Sequence, residues 1–223
     1  MEPVIIGSAT LYHGDSLAAM REMPDNAYSL AIVDPPYGLK RLEKPGRLDR
    51  NGDTTKWNHL KPSPEYFEEL FRVSQNQIIW GGNNFVLPPT EYFIIWNKQQ
   101  TVDNFATAEY AWTSCKKPAR MFDYSIHKHN QTEKIHATQK PIQLYQWLLK
   151  NYASTGDTIL DTHHGSGSNA IACLDMGFSI TAYEIDEEYF KASCERIQRA
   201  QQQQKLFIGD SWKAAEGVTG QLL

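Results

Sequence analysis

The stretch Asp34-Pro35-Pro36-Tyr37-Gly38 sets a carboxylate and a flat ring on a stiffened backbone, with no serine, cysteine or lysine among them to act as a nucleophile. That composition suits an acceptor that must be oriented rather than attacked. An exocyclic amine on a nucleobase is such an acceptor. Its lone pair is delocalised into the ring until both N–H bonds are held by acceptors. Asp34 can take one N–H and the main-chain carbonyl of Pro35 the other, and the proline pair fixes φ so that this carbonyl is aimed. Tyr37 offers a face on which a base that has left a duplex can stack. Gly38 lets the chain turn away. The plainer reading is a strand stopped by proline, with the acid and the ring incidental.

A second constellation runs from Asp161 to Ser168, "DTHHGSGS". Gly165 and Gly167 permit positive φ and close backbone approach, and a helix starting behind them presents free N–H groups. No Lys-Ser/Thr pair follows, so this is not the phosphate loop of a nucleotide triphosphatase. Glu184 ends the next strand, where an acid bonds the two hydroxyls of a ribose. A ligand with a ribose and an amino-acid tail fits: S-adenosylmethionine, whose cationic sulfonium is favoured by carboxylates at strand ends, Asp34 and Asp161. A nicotinamide dinucleotide is the competitor, but it calls for a three-glycine turn.

These residues need strands to carry them. "YSLAIV" (28–33) is a short apolar run ending at Asp34, as a buried strand would. Residues 38–61 lack periodicity and read as a long loop. "SPEYFEELFRVSQ" (63–75) is a helix with Ser63 as N-cap and Pro64 in its first position. "QIIWGG", "EYFIIWNK" and "AEYAWTS" read as strands. Pro141 opens a helix with Ile142, Tyr145, Leu148, Leu149 and Tyr152 on one face. The strand "DTIL", the turn, a helix closing at Gly177, the strand "FSITAYEI" and a helix from about 186 to 201 complete a βαβ unit. The expected fold is α/β: a Rossmann-like, doubly wound, mostly parallel sheet with helices on both faces, in one domain over 1–223.

The 223 residues carry a formal net charge of −4 and are 41 % hydrophobic, with no apolar run long enough for a membrane helix. The amino terminus has no secretory pattern. Three scattered cysteines, Cys115, Cys173 and Cys194, fit reduced thiols and a cytoplasmic setting. The negative total hides two basic runs. Residues 40–61 hold seven bases against three acids, and 116–140 six against two, so each is locally +4. Phosphate responds to such patches, although solvated loops would show the same charge.

Taken together, the motifs resemble those of the DNA amino-methyltransferases in their permuted β class, in which the "DPPY" motif precedes the cofactor half. Three pieces match in order: Gly14-Asp15-Ser16 with Asp34 to Gly38; "HATQKP" at His136 to Pro141, similar to the family's "HPTQKP"; and Asp161 to Ser168 with Tyr183-Glu184-Ile185-Asp186. The resemblance implies a site-specific, S-adenosylmethionine-dependent DNA adenine-N6 methyltransferase that flips its target base, of the kind found in restriction-modification systems, with double-stranded DNA as partner and no metal. Catalysis would fall to Asp34, Pro35, Pro36 and Tyr37. Asp161, Gly165, Ser166, Gly167 and Ser168 would line the methionine part of the cofactor, Glu184 would take the ribose, Ile185 would lie beside the adenine and Asp15 would reach its amine. Thr138 and Lys140 would close the cofactor side. The family's "DPF-x-GSGT" is altered here: Thr162 and His163 replace Pro and Phe, and Ser168 replaces Thr. Ala137 stands where Pro is usual. By elimination, residues 39–61 and 97–135 are left to contact DNA. Cytosine N4, an RNA base, or a silent DNA-binding subunit of the same fold are the alternatives.

Other features stay secondary. His127, His129 and His136 lack partners at metal-ligand spacing and read as solvated. His163 and His164 are either cofactor contacts or ordinary turn residues. "WGGNNF" (80–85) reads as a strand end with a tight turn, or as a stacking platform. Trp57 and His59 are candidate DNA wedges. Gln203, Leu206 and Phe207 resemble a sliding-clamp docking peptide, against a helix tail entering a last strand. "GDS" recurs at 209–211, so Asp210 is the reserve for Asp15. A homodimer would extend so small a reading surface.

Overall fold

The computed structural model describes residues 2–38, 61–103, 105–129, 134–136 and 138–219. Strand β3 (Tyr28–Val33) is the apolar run that ends at Asp34. Leu30 and Ile32 face one core and Ala31 and Val33 the other. Burial on both faces is why the run does not alternate with polar residues. β3 lies between β4 (Ser74–Trp80) and β8 (Thr158–Asp161) and is parallel to both. β9 (Ser179–Glu184) and β2 (Ala9–His13) extend the parallel block beyond β8.

The two flanks are partly antiparallel. β1 (Val4–Ile6) pairs antiparallel with β2. On the other side β6 (Ala108–Thr113) runs antiparallel to β4, β5 (Phe93–Asn97) antiparallel to β6, and β7 (Arg120–Asp123) parallel to β5. The order is β1-β2-β9-β8-β3-β4-β6-β5-β7, with five parallel pairings and three antiparallel ones. The sheet is thus mostly parallel.

Helices cover both faces. α4 (Ile142–Tyr152), α5 (Ser168–Met176) and α6 (Glu187–Thr219) pack through Leu144, Leu148, Ile171 and Ile197 onto one face. α1 (Ser16–Arg21) and α2 (Pro64–Val73) pack through Met20, Phe67 and Leu70 onto the other. The Ser63 hydroxyl accepts the Tyr66 N–H at 3.3 Å and Pro64 occupies the first turn, which starts α2 where the capping pattern predicts. α5 runs between left-handed glycines at 167 (φ 76°) and 177 (φ 78°). α3 (Ile126–His129) is a single turn.

The structure departs from the sequence reading in three places. α2 stops at Val73, and Ser74, placed on the helix by its spacing, begins β4. The segment after Gln201 is not a last strand but a continuation of α6 to Thr219, which makes Asp210 helical. Within 97–135 the structure adds β7 and α3 to the expected strand β6. β6 is an interior strand. Residues 39–60, with Trp57 and His59, lie outside the described residues. Among those described, no helix is long and apolar enough to cross a membrane.

Candidate active site

Because β2, β9, β8, β3 and β4 are parallel, their carboxyl ends share one edge of the sheet. Ligands of open α/β sheets bind at that edge. Asp34 follows β3, Asp161 ends β8, Glu184 ends β9 and Asp15 lies just past β2. Four acids thus stand along neighbouring strand ends, and each is fixed differently.

Asp34 is held by cations and hydroxyls. Tyr37 donates its hydroxyl to Asp34 Oδ1 at 2.7 Å, and Lys140 Nζ donates to Oδ2 at 2.5 Å. Lys140 has only 3 % of its side chain exposed, and its Nζ also lies 3.2 Å from Glu109 Oε2. Glu109, on β6, is ion-paired to Lys98 through its other oxygen. Burial opposes the charged form of Lys140, but Asp34 and Glu109 outweigh it, and the ammonium titrates above its ordinary range. Burial likewise opposes the Glu109 carboxylate, which Lys140 and Lys98 nevertheless hold below its usual value. Burial, then the nearby charges of Asp34 and Glu109, push the Tyr37 phenol well up, so it stays neutral. Lys98, Glu109, Lys140 and Asp34 form one alternating chain of charge.

Tyr37 rests on the turn after β4. Gly81 (φ 65°) begins the short 3-10 turn Gly82–Asn84, and a Cβ there would fall 2.2 Å from Tyr37 Cε1. "WGGNNF" is therefore the strand end and tight turn, and its bare glycine seats the tyrosine. Phe85 meets Tyr37 edge-on with ring centroids 6.2 Å apart. A cavity of about 470 Å³ opens on the α2 side of Phe85, bordered by Phe67, Phe71 and Lys61.

Asp161 and Glu184 are held by neutral groups instead. Asp161 accepts the His163 N–H at 3.1 Å and the Asn169 side-chain amide at 3.0 Å. The same amide reaches the Ile32 carbonyl at 3.3 Å and ties β8 to β3. Burial raises Asp161 to about 7, although those donors pull it back. Glu184 accepts the N–H of Gly165 at 2.8 Å and of Asp186 at 2.9 Å, one on each oxygen, and burial still raises its pKa. Among the described residues neither carboxylate has a cationic partner within ion-pair distance. A Cβ at Gly167 would fall 3.0 Å from Ile197, so the turn packs closely against α6.

A small cavity is lined by Gly14, Asp15, Ser16, Thr162, His163, Tyr183, Glu184 and Ile185. The Asp15 side chain accepts the Leu17 N–H at 2.9 Å and caps α1, so its second oxygen is left for a ligand. Ile185 is exposed at the rim. The two histidines of the turn separate here. His163 lines this cavity, with its Nδ1 2.9 Å from Thr162 Oγ1, which lies 2.6 Å from the Tyr66 hydroxyl. His164 is buried. Burial lowers both to about 4, so both are neutral at ordinary pH.

The structure thus gathers Asp15, Asp34, Tyr37, Asp161, the glycine turn, Glu184 and Ile185 at one edge, as the motifs predict. "HATQKP" divides between the two sides. Thr138 Oγ1 lies 3.2 Å from His136 Nδ1, and a Cβ on Gly165 would meet the His136 ring at 3.9 Å. Lys140, expected on the cofactor side, directs its ammonium to Asp34 and Glu109. The histidines of this region are not all solvated: His129 is buried and its Nε2 lies 2.7 Å from the Gln139 carbonyl. No group of three metal-ligating side chains occurs among the described residues. In the second basic run Lys116, Lys117, Arg120 and Lys128 stay exposed. Lys140 is buried, Lys117 bonds the Asn151 carbonyl, and Arg120 donates to the Asn151 side chain at 2.6 Å. Glu109, Tyr66 and Asn169 carry no motif. The one signal for Glu109 was an acid inside an otherwise apolar strand.

The family model described as DNA methylase matches residues 88–195. The Type II methyltransferase M.HinfI of Haemophilus influenzae is 24 % identical over 245 residues, covering 84 % of this chain and 68 % of its own length. Among solved structures, the M1.HpyAVI–SAM complex superimposes with a TM-score of 0.57 at 19 % identity, covering 84 % of this chain and 99 % of that one. The PvuII DNA methyltransferase, specific for cytosine N4, gives 0.55 at 14 % identity, covering 86 % and 90 %.

Proposed function

We propose that the chain is a DNA methylase, the family whose model matches residues 88–195, and that it transfers a methyl group from S-adenosylmethionine to the exocyclic N6 of adenine in DNA. One observation carries the reading. β3 and β8 are adjacent and parallel, so the acid-proline-proline-tyrosine motif and the glycine turn leave the sheet side by side. Glu184 and Asp15 follow on the next strands outward.

The residues of the second half fit the cofactor. Asp161 is buried and Glu184 half-buried; both have raised pKa and, among the described residues, no cation in ion-pair reach, an environment that favours a positively charged ligand. When bound, S-adenosylmethionine supplies a sulfonium methyl. Glu184, each of whose oxygens keeps a free lone pair, would take the ribose hydroxyls. Asp15 would take the adenine amine, with Ile185 against the ring. Asp161 and the turn from Gly165 to Ser168 would hold the methionine part, with Thr138 beside them.

On the acceptor side, Asp34 and the Pro35 carbonyl would each accept one N–H of the target amine, turning its lone pair toward the methyl. Tyr37 would stack on the everted base, and Pro36 holds the backbone between them. Lys140, donating to Oδ2, holds the Asp34 carboxyl group in place. The amine grip does not itself choose between adenine N6 and cytosine N4, and the likeness to a cytosine-N4 enzyme keeps the second target open. DNA incubated with the purified chain and labelled S-adenosylmethionine, then digested to nucleosides, separates them. Labelled N6-methyladenine is expected. Labelled N4-methylcytosine would replace the adenine assignment, and no label in any nucleoside would overturn the reading.

A further inference from the structure

His163 occupies the place where the resembled family has a phenylalanine, and a phenylalanine can form no hydrogen bond. In this structure His163 lines the small cavity together with Asp15, Thr162 and Glu184. Its ring packs edge-on against Tyr66, with centroids 5.4 Å apart. The three polar side chains form a line: the Tyr66 hydroxyl, Thr162 Oγ1 and His163 Nδ1, at 2.6 and 2.9 Å.

The direction of the protons along that line follows from satisfaction. Tyr66 is buried, and Thr162 is the only hydrogen-bond partner of its hydroxyl among the described residues. A buried hydroxyl proton left without an acceptor is costly. Tyr66 therefore donates to Thr162. Thr162 has one proton, and with its oxygen already accepting from Tyr66 it donates to His163 Nδ1. Nδ1 is then an acceptor. A neutral imidazole with an accepting Nδ1 carries its proton on Nε2.

We infer that His163 binds the adenosine portion of the cofactor, presenting Nε2–H as a donor to an acceptor atom of the ribose or of the purine edge, with Tyr66 and Thr162 as positioning residues that set its tautomer. The contact rests on the cofactor reading above. It supplies a directional bond at a place where a phenyl ring supplies only surface.

The test has two parts, neither of which needs turnover. In nitrogen-15 NMR of imidazole-labelled protein, assigned with His163→Gln, the free chain should show His163 as the Nε2–H tautomer at neutral pH. Tyr66→Phe should admit the Nδ1–H form, because Thr162 is then free to accept. In calorimetry with S-adenosylhomocysteine, His163→Phe should bind about three- to tenfold more weakly, the worth of one neutral hydrogen bond. His163→Gln, whose amide N–H stands near the Nε2 position, should recover part of that loss. Analogues lacking the ribose ring oxygen or the purine N3 identify the acceptor: the right one binds wild type and His163→Phe alike. An Nδ1–H tautomer in the wild type, or equal affinity of wild type and His163→Phe for S-adenosylhomocysteine, overturns the contact while leaving the cofactor reading intact. A wild-type chain that binds no S-adenosylhomocysteine overturns both.

Discussion

Asp34 and Asp161 end neighbouring parallel strands, yet their surroundings are opposite. Asp34 ends a chain of alternating charge with Lys140, Glu109 and Lys98. Asp161 and, one strand further, Glu184 sit among amide N–H groups, with no cation among the described residues to answer them. A buried charge without a counter-charge is expensive and tends to neutralise, which is why Asp161 rises to about 7. The difference divides the labour. On the proposed reading, the carboxylate that accepts hydrogen bonds from a neutral amine is given a cationic partner by the protein itself. Carboxylates that are to meet a cationic ligand are left short of positive charge until it arrives.

The largest effect that would sharpen this contrast is at Asp34. Asp34→Ala should reduce methyl transfer by about 10²- to 10⁴-fold in single-turnover assays. Transfer within a few-fold of wild type would remove Asp34 from the chemistry. Gly81→Ala probes the same side without touching an acid. Its Cβ overlaps the Tyr37 ring and its φ of 65° suits only glycine, so transfer should fall about 10- to 10²-fold as the stacking face is displaced, while cofactor affinity stays as in the wild type. Unchanged transfer would show that the position of Tyr37 is immaterial.

The cofactor side carries a pH signature. Asp161 is ionised above about 7 and protonated below it. A cation binds the ionised form, so affinity for S-adenosylmethionine should fall as pH drops from 8 to 6, by at most about tenfold per unit. Neutral S-adenosylhomocysteine should respond less. Parallel profiles for the two ligands would mean that Asp161 does not face the sulfonium. The smallest effect is at Glu109→Gln. It leaves Lys140 bonded to Asp34 but loosens the chain of charge, and transfer should drop about three- to tenfold with cofactor affinity unchanged. An equal loss of cofactor affinity would show that Glu109 serves both sides.

Much of this was legible in the sequence, for physical reasons that differ by element. β3 read clearly because a strand buried on both faces is a continuous apolar run, and β8 and β9 because each ends in an acid and the glycine turn and a helix separate them. β1, β2 and β7 did not, being short and at or near the sheet's edges, with exposed residues such as Ile5 and Met121 breaking any pattern. α6 runs through Gly209, a residue that ordinarily punctuates helices, so its extent was hidden. Motif spacing located Lys140 in the site but not its partner. The partner, Glu109, comes from a strand 31 positions earlier, and only the sheet order brings them together. The tautomer of His163 was equally invisible, since it depends on Tyr66, which is distant in sequence and adjacent in space.

The division between the two carboxylate environments is tested most directly by calorimetric titration of S-adenosylmethionine, without DNA, into wild type, Asp34→Ala and Glu184→Ala. The account predicts that Asp34→Ala binds within about threefold of wild type, while Glu184→Ala, having lost two charge-assisted hydrogen bonds, binds at least about tenfold more weakly. Undiminished binding by Glu184→Ala, or a larger loss from Asp34→Ala than from Glu184→Ala, would contradict it.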